Sequence, residues 1–183
     1  MRTLNGVTKV TDKVCEIVSY FSMAVAAFLC IVLFLDVVLR KITALGDGSW
    51  NISLTGVYEM CQVGLSMFIF SSWAYVQTVH GHIHVVMFIQ KFPQKLRFIC
   101  FSFTSLLSTF TMVFAAYGLW SKIFDVMNSG EKTANLQIPY WPFYAFEFAA
   151  FVLLAVVLFL DAIKAVVAIF SKDMAAEIQA SWV

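Results

Sequence analysis

Four long apolar runs, each separated from the next by a cluster of Gly, Pro, Asn and charged residues, set the pattern of this chain. They extend from Ile17 to Leu39, Val57 to Val79, Phe98 to Phe124 and Phe143 to Phe170. The breaks read KITALGDGSWNISLTG, HGHIHVVMFIQKFPQKLR and DVMNSGEKTANLQIPYWP, residue types that end helices and form turns. A helix crosses the hydrocarbon core of a bilayer with roughly 20 mainly apolar residues, and each run meets that length. The last two exceed it, which allows tilt or projection into the interface. The pattern therefore predicts an all-α, integral membrane four-transmembrane-helix bundle with amphipathic interfacial segments, forming one domain over residues 1–183. No internal repeat or low-complexity tract interrupts it.

Composition supports the membrane reading. The chain is 61% hydrophobic and 13% charged, against roughly 45–50% and 25% in soluble domains. A net charge of +1 gives no electrostatic reason for a nucleic-acid partner. The cysteines, Cys15, Cys30, Cys61 and Cys100, form no CxxC pair and imply neither a disulfide framework nor zinc. A cleavable leader is not expected, because Asp12 and Glu16 precede a first run too long for a signal sequence.

Lys and Arg counts orient the spans, since positive loops stay in the cytoplasm. With four crossings, one side holds Arg2, Lys9, Lys13, Lys91, Lys95, Arg97, Lys164 and Lys172; the other holds Arg40, Lys41, Lys122 and Lys132. Both termini are thus expected in the cytoplasm, and the loops around Trp50 and Asn135 outside.

His80, His82 and His84 fall in the cytoplasmic loop. A metal site needs converging ligands and a second shell, and the neighbouring sequence supplies neither. The stretch reads instead as an interfacial turn leading into an amphipathic segment, with Val85, Val86, Phe88, Ile89 and Phe92 against lipid or protein.

Ionisable groups within the spans are the better clues, because a charge near the bilayer centre costs a few kcal/mol or more unless paired. Asp36 and Arg40 stand four apart and are expected to pair on one helix face. Glu59 opens the second span near the same outer boundary, so that Arg40 and Glu59 could meet. Glu147 enters the fourth span, and Asp161 with Lys164 lies near its cytoplasmic end. Each reads as an interhelical or subunit-interface anchor; a proton or ion path would need such groups at several depths.

These residues in this order resemble a known family. Arg40 closes the first span, Trp50 and Glu59 open the second, GHIHV (Gly81 to Val85) matches a Gly-His-Ile-x-Val turn, and LQIPYW (Leu136 to Trp141) precedes the fourth span. The chain is similar over nearly its whole length to the small four-helix membrane subunit (DctQ-like, or Q subunit) of tripartite ATP-independent periplasmic (TRAP) transporters. One departure is Val86, where relatives often carry an acid. The resemblance gives His82 a structural role and implies a bacterial inner-membrane protein within a transporter that imports organic acids, of C4-dicarboxylate or sialic acid type, on a sodium gradient. A large membrane (M) subunit would hold the substrate and sodium sites, with this chain as its scaffold. No catalytic residue, metal or cofactor is expected here. The partners expected are the large subunit, membrane lipids and a soluble periplasmic binding protein docking on the external loops, with Asp47, Trp50, Glu131, Lys132, Tyr140 and Trp141 in contact.

Two other classes are open to comparison. A thiol redox enzyme would need paired external cysteines, and the loops Lys41 to Gly56 and Asp125 to Pro142 contain none. An autonomous small homo-oligomeric channel or carrier needs few polar residues per subunit and stands as the alternative.

Overall fold

The computed structural model describes residues 2–45, 55–79 and 93–170. Among them four helices follow one another: α1 (Arg2–Leu45), α2 (Val57–Thr78), α3 (Gln94–Ser129) and α4 (Trp141–Phe170). The all-helical expectation holds, but α1 and α3 outrun the apolar runs that announced them. Apolar character marks immersion in lipid, whereas a helix continues through polar residues until something stops it. For α3 the stop is Gly130, left-handed at φ 66°, whose N–H donates to the Val126 carbonyl at 3.0 Å. With 44 residues, α1 is about 66 Å long at 1.5 Å per residue, twice the roughly 30 Å hydrocarbon thickness.

The helices lie in a row rather than closing into a ring. Helix α2 packs between α1 and α4, α3 packs on the far side of α4, and only a slight contact joins α1 to α4. Each outer helix touches its neighbour along a narrow seam with a seven-residue repeat. In α1 the buried residues are Cys15, Ser22, Leu29 and Asp36, with half-buried Val18, Val25 and Val32 between them and Thr11 and Leu39 extending the row at either end. In α3 the seam runs through Phe98, Ser102, Ser105, Thr109, Met112, Ala116, Leu119, Ile123 and Val126. A 3–4 spacing is the geometry of knobs-into-holes packing, and small or hydroxyl residues on it let membrane helices approach closely. The Ser22 hydroxyl crosses the first seam to the Phe68 carbonyl at 2.8 Å. In the second, Ala168 of α4, 4% exposed, packs on Phe98 of α3.

Three helices are long and apolar enough to cross a membrane, within Gly6–Leu45, Leu96–Ser129 and Trp141–Ile169; among the described residues α2 is not one of them. Its polar side chains explain why. Glu59, Ser71 and Gln77 are all buried against the neighbouring helices and their connections, so α2 is polar where it faces protein. Helix α4 is also inner, with 50% of its most apolar stretch buried, against 17% in α1 and in α3.

Candidate functional site

Two polar joints fasten α2 at its opposite ends. The first joins its opening turn to the α3–α4 connection. After Gly130 the chain turns back on itself, Lys132 bridging Pro139 in antiparallel fashion. Thr133 N donates to the Ile138 carbonyl at 2.9 Å, and Ile138 N donates back to the Thr133 hydroxyl at 3.0 Å. Tyr140 N reaches the Glu131 carbonyl at 3.2 Å. At the turn Gln137 takes a left-handed φ of 55°, a conformation costing a non-glycine residue about 1–2 kcal/mol. Two bonds hold it there: Gln137 N to the Thr133 carbonyl at 3.2 Å, and its Nε2 to the Ala134 carbonyl at 2.9 Å.

Glu59 clasps this hairpin from below. Its Oε1 accepts from Asn135 N at 2.7 Å and Asn135 Nδ2 at 2.9 Å, its Oε2 from Leu136 N at 3.0 Å, and the Thr133 hydroxyl also bonds the carboxylate. A carboxylate only 5% exposed is kept in place because donors surround it, and charge-assisted bonds of this kind are among the strongest available. Beside it, Leu136 presses on the backbone of Gly56, where a Cβ would meet Leu136 Cγ at 2.6 Å. Gly56 has φ 86°, so it is glycine for both reasons.

The second joint lies at the other end of α2. Gln77 Nε2 donates to Asp161 Oδ2 of α4 at 2.8 Å, in buried surroundings, and Lys164 Nζ stands 3.9 Å from Asp161 Oδ1. Thr8, Thr11 and Asp12 of α1 face Thr78, Asp161 and Lys164 there across a small polar cavity of about 40 Å³.

The sequence-predicted residues divide accordingly. Arg40 Nε binds Asp36 Oδ2 at 2.8 Å, as their spacing implied. The expected meeting of Arg40 with Glu59 does not occur: Glu59 is occupied by the hairpin, and Arg40, its side chain 66% exposed, stays with Asp36 on its own helix. Asp36 keeps one buried oxygen, Oδ1, without a hydrogen-bond partner. Glu147 is half-buried, near Ser66 of α2. Glu131 and Lys132 are exposed, Tyr140 is half-buried with its ring 6.5 Å from Tyr144, and Trp141 is exposed. His80, His82, His84, Asp47 and Trp50 lie outside the described residues. Among the described residues no three of His, Cys, Asp and Glu gather closely enough to hold a metal ion.

Thr133, Asn135, Gly56, Ser22 and Gln77 escaped the sequence reading. The signal that could have found the seams was inverted: in an apolar helix, Ser, Thr, Cys, Gly or Asp recurring at three- and four-residue spacing marks the buried side.

Long apolar helices joined through buried polar seams, with their remaining sides exposed and apolar, define a helical integral membrane protein. The chain belongs to the family of tripartite ATP-independent periplasmic transporters, DctQ component, whose family model matches residues 29–168. It is thus a transporter component rather than a member of an enzyme family. No curated protein and no solved structure matches it.

Proposed function

We propose that this chain is the small (Q) membrane subunit of a sodium-coupled transporter importing an organic acid, of C4-dicarboxylate or sialic acid type, across the bacterial inner membrane. In this reading all four helices span, both termini are cytoplasmic, and the subunit enlarges the stationary part of the large subunit while its external loops help dock the binding protein. Asp36, Arg40, Glu59 and Glu147 are anchors of the fold or of the subunit interface, and His82 has a structural role without a metal.

One observation carries the scaffold role: the outer helices use only a narrow seam within the chain and leave large side chains outside it. Phe34 and Phe103 are each 68% exposed, and Phe110, Phe114 and Tyr117 each 71%. A surface of that size and character suits lipid on part of its extent and a larger membrane partner on the rest. An inner α2 held by two polar joints supplies the rigidity a fixed element requires.

The test is purification of the tagged chain in mild detergent, with identification of what accompanies it. A large polytopic subunit in equal amount is the expected result. A stable homo-oligomer alone, conducting or transporting after reconstitution, would replace this reading with that of an autonomous channel or carrier.

A further inference from the structure

We infer that the hairpin of residues 130–140 is a preformed recognition element for the soluble binding protein, and that Glu59 positions it from beneath. The inference rests on the docking part of the proposed function. The hairpin has two sides of different use. Inward, Thr133 is 2% exposed and Leu136 is wedged on Gly56. Outward, Glu131, Lys132, Asn135 and Gln137 are exposed, and Ile138 is 40% exposed.

A connection needed only to join two helices has no use for a left-handed glutamine at an exposed turn, or for four donors converging on one buried carboxylate. A recognition loop has use for both, because ordering before contact removes an entropy loss that binding would otherwise incur. The exposed set, an acid beside a base next to an apolar side chain, selects the kind of partner. A lipid headgroup layer or polyanion is met by uncompensated cations, whereas adjacent Glu131 and Lys132 fit a folded protein surface bearing the opposite pair in register. Glu59 touches none of that partner and acts through the backbone amides of Asn135 and Leu136. In Glu59→Gln the side-chain amide turns donor hydrogens toward those backbone N–H donors, so the clasp loses bonds while the helix keeps its shape.

The experiment uses the complete transporter, this chain with its large subunit in liposomes, and measures uptake against the concentration of added binding protein. Glu59→Gln is expected to raise the half-saturating concentration about tenfold, the loss of roughly one charged hydrogen bond. The amount of assembled complex and the rate at saturating binding protein should stay near wild type. Leu136→Ala loosens the same hairpin without touching charge; it should shift the curve in the same direction and replaces Glu59→Gln if that variant does not assemble. An unchanged half-saturating concentration in the assembled variants overturns the inference, as does loss of assembly in both. Glu131→Lys and Lys132→Glu separate the two levels. If they weaken docking and Glu59→Gln does not, only the positioning role falls; if wild-type uptake is indifferent to the hairpin charges, the docking reading itself falls.

Discussion

Leu29 of α1 lies over Gly64 of α2 so closely that a Cβ on Gly64 would meet Leu29 Cδ2 at 2.7 Å and Cδ1 at 2.9 Å. The α1–α2 seam has no room here for a side chain on α2, because the residue facing Gly64 is itself only 5% exposed. Gly64→Leu should therefore force the helices apart, lowering stability in detergent by about 1–3 kcal/mol, the usual cost of overpacking. Leu29→Ala in that background vacates the space the new side chain needs. The double variant is expected to unfold at higher denaturant than Gly64→Leu alone, and the reverse order would show that the seam does not pass through this pair.

The Gln77–Asp161 bond makes a second test at the opposite end of α2. Gln77→Leu keeps the size of the side chain but removes the donor to Asp161 Oδ2, at a cost of about 1–2 kcal/mol between the values for charged hydrogen bonds and for interhelical bonds in membranes. Gln77→Glu places a second carboxylate against the first and should cost more. A double-mutant cycle over Gln77→Ala and Asp161→Ala, read by equilibrium unfolding, checks the coupling directly. A cycle that closes to zero would mean that the two side chains do not support one another.

All four helices were legible in the sequence as apolar runs read as crossing elements, and three of them are long and apolar enough to cross a membrane, because lipid exposure requires apolar residues and that requirement is local. Helix α2 met the length rule only. Its Glu59, Ser71 and Gln77 count against it in any hydropathy window, yet they are the residues that neighbouring elements cover. The Asp36–Arg40 pair was legible for the same local reason, a four-residue spacing on one helix. The Glu59 clasp was not, since its partners lie more than seventy residues away on a turn whose shape depends on a left-handed Gln137. Charge alone pointed from Glu59 to Arg40; backbone amides, which no sequence pattern displays, took the carboxylate instead.

The docking role proposed for the α3–α4 hairpin gives a third prediction. If that role holds, charge reversal at Glu131, at Lys132 or at Asp47 should reduce uptake through the binding protein and leave the yield of assembled complex at the wild-type level. The effect belongs to association, so raising the binding-protein concentration should recover the rate. Full uptake in all three variants at limiting binding protein would leave Trp141 and Tyr140 as part of an interfacial aromatic belt and nothing more.

The last prediction concerns Arg40 and Glu59, which separate partners hold at the same end of the molecule. Arg40 is bonded to Asp36 with its side chain 66% exposed, so Arg40→Ala should cost no more than about 1 kcal/mol after allowance for solvent screening. Most of that loss comes from leaving Asp36, already short of one partner, with both oxygens unbound, and Asp36→Asn in the same chain should return part of it. Glu59→Ala removes the acceptor of the Asn135 and Leu136 amides and of the Asn135 side chain; a buried donor left so costs about 1–3 kcal/mol, and the loss here should fall toward the lower end because Asn135 is exposed and Leu136 half-buried. Residues without a shared partner have additive effects within about 0.5 kcal/mol. The double variant Arg40→Ala, Glu59→Ala should thus lose the sum of the two single losses when all four proteins are unfolded in one detergent. Exchanging the two charges should restore nothing, because a cation at position 59 would face the hairpin's backbone donors. A coupling above about 1 kcal/mol, or recovery of stability by the exchange, would mean that the two side chains meet directly and that Glu59 does not belong to the hairpin.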